Sequence, residues 1–341
     1  MNDFTFPKNK TLVGKQLKDF YYSNGKFEST IIDPQKPKDN QINIGGTEYF
    51  FINLDSSGKS KGSNSVILKL YESQNFDLEE IEYDIPDKIL KIFSIPKASK
   101  SYYKGRLEKR FEKEIYCLSK CKDRKYQNVI TIYESGTCKI FDSRRGVNRK
   151  YLYYTMEYSE SDLKQFIEEN PCMDFRSKIN LCLNISKGIK ELKSLGFYHR
   201  DIKPDNIFVM GKTWKIGDLG LISERDEDDD IDKKNEFIGP RGWITPEAMN
   251  KFLCEGKQLE FNYDCKLDHQ SDIFQLGKVF WYILQNNTPV GVFKFEDFKS
   301  KYNKLYPIVR TMLNYSKKRR YNDIDEVIEL LEPIEKELQL T

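Results

Sequence analysis

Long apolar runs are missing from this chain of 341 residues; no window approaches the roughly twenty consecutive apolar residues that a membrane-spanning helix needs. The opening Met1-Asn2-Asp3-Phe4 lacks the pattern of a secretory leader. Cysteine is scarce and spaced for neither bridging nor metal: there are seven, an odd number, with no Cys-x-x-Cys pair. That excludes a disulfide framework and a zinc ribbon, and it fits a reducing cytoplasm. Cys117 and Cys121 stand one helical turn apart with no histidine beside them, so they read as packing residues. An excess of charge of one sign is also absent, since 56 basic residues face 53 acidic ones for a net +3. Bulk electrostatics therefore gives no argument for nucleic acid or an anionic membrane. What is present is 38% hydrophobic, 32% charged and 13% aromatic residues, values of a soluble globular protein long enough for one large domain or two lobes.

One stretch holds the residue types of phosphoryl transfer. Tyr198-His199-Arg200-Asp201-Ile202-Lys203-Pro204-Asp205-Asn206, then Gly217-Asp218-Leu219-Gly220, set two carboxylates, a lysine and an asparagine in fixed order, with strand-like Ile207-Phe208-Val209 between. Phosphoryl transfer needs a carboxylate for the attacking hydroxyl's proton, oxygen ligands for Mg²⁺ and a cation for the phosphate. An ordinary turn explains Pro204 but not the joint order of the others. The run resembles the catalytic and metal-binding loops of eukaryotic-type protein kinases, and a lysine two residues past Asp201 is typical of their Ser/Thr branch. The resemblance covers roughly residues 42–333 and implies an α+β bilobal fold. A small antiparallel sheet lobe with one helix (41–156) would precede a larger, mainly helical lobe (157–341), with residues 1–40 as an extension. It also implies ATP and Mg²⁺ as cofactors and protein substrates with Ser or Thr. Asp201 becomes the base, Lys203 the γ-phosphate contact, and Asn206 and Asp218 the Mg²⁺ ligands.

In the small lobe, Ile42 to Ile52 reads as strand, tight turn, strand, and is similar to the hairpin whose backbone covers ATP phosphates; Gly45 is its matching glycine, with Asn43 and Glu48 where the family has others. Two strand lysines compete for the phosphates, Lys69 and Lys91. Leu107, Phe111, Ile115 and Leu118 form the apolar stripe of a helix, and Glu114 beside it matches the family's lysine-pairing glutamate. Lys91 precedes it by a family-like interval and is preferred, with Lys69 kept as the alternative; residues 55–86 then read as an insertion. Met156-Glu157-Tyr158-Ser159 resembles the hinge, presenting the Glu157 carbonyl and Ser159 amide to adenine with Met156 as gatekeeper.

In the large lobe, Cys182, Ile185, Ile189 and Leu192 keep helical spacing up to Gly196. The segment from Asp218 ends in Thr245-Pro246-Glu247, similar to the family's Ala-Pro-Glu. Between Ser223 and Thr245 it contains no Ser, Thr or Tyr, but an acidic run from Glu224 to Asp232. In related kinases an arginine placed like Arg200 often pairs with a phosphorylated residue; the run reads first as a mobile, solvated acidic stretch, with a carboxylate of it taking that place as the alternative. Pro240 stands where a threonine often bridges the positions of Asp201 and Lys203. Asp272 matches the aspartate that holds the catalytic-loop backbone, and Arg320, or its neighbour Arg319, the partner of Glu247. Ile324, Val327, Ile328, Leu331 and Ile334 predict a last amphipathic helix, and His269 reads as structural. A pseudokinase acting as a nucleotide- or partner-binding scaffold is the runner-up function.

Overall fold

The computed structural model describes residues 2–6, 22–23, 26–27, 40–54, 65–74, 85–93, 101–142, 146–225, 231–258, 261–299 and 303–339. The chain divides into two compact units, Met1–Tyr116 with Thr131–Tyr158, and Cys117–Ile130 with Ser159–Thr341.

In the first unit the strands are β1 (Asn2–Thr5), β2 (Tyr22–Ser23), β3 (Lys26–Phe27), β4 (Gln41–Ile44), β5 (Thr47–Asn53), β6 (Ser65–Glu72) and β7 (Lys88–Phe93). Helix α1 (Ser101–Asp123) and strands β8 (Ile132–Asp142) and β9 (Val147–Met156) follow. Seven strands make one sheet in the order β1-β8-β9-β7-β6-β5-β4, while β2 and β3 pair only with each other. Alternation explains the core: Phe51, Leu68, Leu70, Leu90, Ile92, Cys138 and Tyr153 all turn to one face and are buried together. The N-terminal residues belong to this sheet. β1 pairs parallel with β8, and Phe4 and Phe6 enter the core, with Phe4 edge-on to Tyr153 at 4.8 Å and Phe6 edge-on to Phe51 at 5.3 Å. β1 also lies against β4, so the two edges of the sheet approach each other.

Two expectations change here. Residues 65–72, assigned from sequence to an insertion, form β6, which pairs with β5 and β7 inside the sheet; within that span, 55–64 and 75–84 lie outside the described residues. Val66, Leu68 and Leu70 were legible as a strand, but only pairing tells a sheet strand from an inserted one. The expected extension likewise begins with a strand of the main sheet.

The second unit is mainly helical: α2 (Leu163–Glu169), α3 (Phe175–Ser194), α4 (Pro246–Cys254), α5 (His269–Gln285), α6 (Leu305–Met312) and α7 (Ile324–Gln339). Short strands β10 (Phe197–Tyr198) and β13 (Ser223–Glu224) pair with each other, as do β11 (Ile207–Met210) and β12 (Thr213–Ile216). Ile130 joins this unit because its N–H donates to Ile216 O at 2.8 Å. α5 is buried on nearly every face, as its continuous apolar run requires, and it starts at a capping box made by Asp268 and Ser271. α7 packs its Ile324, Val327, Ile328 and Leu331 stripe on α3, and His269 Nε2 accepts the N–H of Ile324 at 3.1 Å, a structural role. Together a sheet-built unit and a helical one make the α+β class. No helix among the described residues is long and apolar enough to cross a membrane.

Candidate active site

In the first unit the candidate residues hang on β7 and α1. Leu90 and Ile92 point into the aromatic core, which sends Lys91 and Phe93 to the other face of the strand. There Phe111 of α1 packs between Phe93 and Tyr154, with ring centroids 5.4 and 5.5 Å away. Glu114 lies three residues after Phe111 on the same helix face, which delivers its carboxylate to Lys91. Lys91 Nζ donates to Glu114 Oε1 at 2.8 Å, and the Tyr154 hydroxyl donates to the same oxygen at 2.9 Å. The two charged side chains are only 7% and 1% exposed, so removing either would leave the other's buried charge poorly compensated. This pair separates the two lysines, since Lys69 sits on β6 opposite Ile52 and Ile89. Tyr154 was missed because an aromatic residue in a strand looks like core until its hydroxyl finds a partner.

Gly45 is not brought to this pair. Gly45 and Gly46 have φ of 60° and 93°, and Gly46 N donates to Asn43 Oδ1 at 3.1 Å, as in a tight two-residue hairpin. That hairpin joins β4 to β5 at the Thr47 end, whereas Lys91 is level with Ile67 and Leu54, at the far end of β5. Seven strand residues separate the two levels, roughly 20 Å along the strand. The strand preceding β7 in the sheet is β6, and the β5–β6 connection, residues 55–64, lies outside the described residues.

Met156 closes β9 opposite Ile89 and Ile132. Glu157, for which only the backbone seemed relevant, uses its side chain too: its N–H donates to Thr131 O at 3.1 Å and its Oε1 accepts the N–H of Thr131 at 2.5 Å. In the second unit, the Ser159 hydroxyl lies 2.7 Å from Ser161 O and 2.8 Å from Val209 O.

The second unit assembles the four residues of the phosphoryl-transfer run. The β11–β12 hairpin pairs Ile207 with Ile216, and Gly217 N donates to Asn206 O at 3.0 Å, so Asp218 emerges beside Asn206. Asp218 adopts a left-handed φ of 55°. Asn206 Nδ2 donates to Asp201 O at 2.9 Å and Asp201 Oδ2 at 2.8 Å, and Lys203 Nζ donates to that Oδ2 at 3.2 Å. With its nitrogen committed to Asp201, Asn206 keeps Oδ1 for a cation; with the Asp218 carboxylate this makes the hard oxygen set that Mg²⁺ takes, so the residues fit the ion. Burial pushes the Asp201 carboxyl up to about 6; Lys203 pulls it back, and the Asp218 charge raises it further.

The backbone around Asp201 is held from several sides. His199 N and Arg200 N donate to Asp272 Oδ2 and Oδ1 at 2.8 and 2.9 Å. The His199 ring accepts the N–H of Asp201 at Nδ1 (3.2 Å), so its Nε2 is the donor to Gly217 O, also at 3.2 Å. Burial lowers the His199 pKa to about 4, which keeps that ring neutral. Arg200, itself at a φ of 65°, sends Nε to Leu221 O at 2.6 Å and Nη1 to Asp232 Oδ2 at 2.5 Å, with the two side chains 3% and 8% exposed. The rest of the acidic run, 226–230, lies outside the described residues. Arg320, rather than Arg319, pairs with Glu247, Nη2 to Oε1 at 2.5 Å.

A family model described as "Protein kinase domain" matches residues 87–337. Among curated proteins the chain is similar to "Eukaryotic translation initiation factor 2-alpha kinase 3" of Bos taurus, 28% identical over 186 residues, 50% of this chain and 16% of that protein. It is similar to "Dual specificity protein kinase TTK" of Mus musculus, 21% identical over 163 residues, 48% of this chain and 18% of that protein. It is also similar to "Discoidin domain-containing receptor tyrosine kinase B" of Caenorhabditis elegans, 31% identical over 141 residues, 41% of this chain and 16% of that protein. The matched part is thus under a fifth of the length of each of these relatives. With the family match running from β7 to α7, this chain belongs to the protein kinase family.

Proposed function

We propose that this protein transfers the γ-phosphate of ATP to Ser and Thr hydroxyls of protein substrates in a Mg²⁺-dependent reaction. The observation that carries the reading is the Asp201 carboxylate, oriented by Asn206 and Lys203 beside the turn that carries Asp218. Asp201 accepts the hydroxyl proton as the substrate oxygen bonds to the γ-phosphorus and the bond to the β–γ bridging oxygen breaks, releasing ADP. Lys203, beside Asp201, is assigned to offset the charge of the phosphoryl oxygens, and Lys91, held by Glu114, to the α- and β-phosphates. Asn206 Oδ1 and Asp218 would hold Mg²⁺, which when bound neutralises phosphate oxygens. The choice of Ser/Thr rests on Lys203, and the relatives' names, which span dual-specificity and tyrosine kinases, leave that choice to experiment.

The test is incubation of the purified chain with γ-labelled ATP, Mg²⁺ and mixed protein substrates, followed by identification of the labelled residues. Label on Ser and Thr supports the reading, and label on Tyr alone overturns the substrate class. Nucleotide binding without any incorporation would favour the scaffold. In the same assay Lys91→Met, which removes the ammonium from its pair with buried Glu114, is expected to lower kcat/KM for ATP by about 10²-fold or more.

The Arg200–Asp232 pair supports the further reading that an aspartate stands in for a phosphorylated residue in this segment. Asp232→Asn would leave Arg200 buried and unmatched, and kcat is expected to fall by about tenfold. An unchanged rate in that variant would return the acidic run to a plain solvated one.

A further inference from the structure

Helix α5 reaches the catalytic loop with two side chains three residues apart, and so on one helix face. Asp272 takes the N–H groups of His199 and Arg200. Gln275 grips the loop on the other side of the base: its Oε1 accepts the N–H of Ile202 at 3.0 Å, and its Nε2 donates to Arg200 O at 3.2 Å. An N–H needs an acceptor and a C=O a donor, so these partners set the orientation of the amide. Gln275 is 1% exposed, and both ends of its amide are committed to residues flanking Asp201.

The outcome is specific to the base. In the peptide before Asp201, the C=O belongs to Gln275 and the N–H to the His199 ring. In the peptide after it, the C=O belongs to Asn206 and the N–H to Gln275. No helix or strand supplies partners for this stretch, so side chains must. Gly239 covers the arrangement: at a φ of 109° it lies so close that a Cβ would meet Arg200 O and Gln275 Nε2, each at 3.3 Å. Next to it, Pro240 has no hydroxyl to offer Asp201 or Lys203.

We propose that Gln275 is a positioning residue for phosphoryl transfer, fixing through its amide the two peptides on either side of Asp201. This rests on the kinase reading above. Gln275→Met keeps the volume and removes both hydrogen bonds. Gln275→Glu keeps the acceptor for Ile202 but sets a second oxygen against Arg200 O unless the carboxyl is protonated; the charged groups on the loop and the neighbouring turns of α5 are Arg200, engaged with Asp232, Asp201 with Lys203, Asp272 and Lys278. The measurements are kcat and KM for ATP from about pH 8 to about pH 6, melting temperature, and hydrogen exchange in the peptide spanning 198–206.

For Gln275→Met, kcat is expected to fall about 10–100-fold, with KM for ATP changed by less than about twofold and faster exchange at the Ile202 amide. For Gln275→Glu, the rate relative to wild type should rise as pH falls, because protonation restores the donor to Arg200 O. A residue that only packs would shift melting and leave both kcat and that ratio flat. Unchanged kcat in both variants, or unchanged exchange at Ile202, overturns the proposal. If the wild-type chain itself transfers no phosphate, the kinase reading falls, while the exchange data still decide whether Gln275 holds the loop.

Discussion

Asp201→Asn is expected to lower kcat by about a thousandfold while the protein becomes more stable. The substitution keeps the shape of the side chain and an oxygen for Asn206 Nδ2 and Lys203 Nζ, so the loop stays in place and only the proton acceptor is lost. Label incorporation that persists in the variant would remove Asp201 from the role of base. The stability change follows from linkage. The Asp201 carboxyl is raised from 3.8 to about 6 in the folded chain, so between those pH values the folded state binds a proton that the unfolded state has released. Stability therefore declines as pH rises from about 4 to about 6 and stays lowered above it, by about 2–3 kcal/mol for a shift of this size. Asn carries no such cost, so Asp201→Asn should melt higher than wild type above about pH 6 and lose that advantage near pH 4, measured without Mg²⁺. Equal melting temperatures at both pH values would mean that burial of Asp201 is not opposed in this way. The proposed role of Asp201 as base needs a carboxylate where burial favours a neutral group.

Arg320→Met is expected to destabilise the second unit by about 3–5 kcal/mol, a large fraction of ordinary domain stability. Arg320 donates to Glu247 Oε1 at 2.5 Å, Asn314 O at 2.5 Å, Gln270 O at 3.0 Å and Tyr315 O at 3.1 Å, and its guanidinium lies 4.7 Å from the centroid of the Phe274 ring. The Arg320 side chain in this pair is 0% exposed and that of Glu247 2%. Removing the arginine strands a buried carboxylate that, among the described residues, keeps the Ser271 hydroxyl, 3.3 Å from Oε2. Arg320→Lys should recover little, because an ammonium cannot reach four acceptors with a planar fork. The double variant Arg320→Met with Glu247→Gln should recover part of the loss, since no uncompensated charge remains. Denaturant midpoints of the single and double variants decide this. A single variant within experimental error of wild type would show that the pair is not holding α4, α5 and the segment after α6 together.

The sequence by itself carried what depends on short-range order. Asp201, Lys203, Asn206 and Asp218 lie within one loop and one hairpin, so their spacing already specifies their meeting once β11 and β12 pair. The interval from Lys91 to Glu114 worked for a similar reason, since one strand and one amphipathic helix, each with a readable period, settle which faces come together. The apolar run of α5 and the stripe of α7 were equally legible.

Tertiary structure decided the rest, because it depends on which distant partner each pattern meets. An alternating strand looks the same at a sheet edge and at its centre, so the distance of the Gly45 hairpin from Lys91 was not foreseen, β6 was taken for an insertion, and β1 was not seen as a strand. A glutamine inside an apolar helix, such as Gln275, reads as a flaw in the pattern until the backbone it satisfies is brought to it. Asp232 was one carboxylate in an acidic run until folding buried it against Arg200. Periodicity is a local property of the chain, whereas hydrogen-bond satisfaction and charge pairing in the interior belong to contacts that only the folded backbone creates.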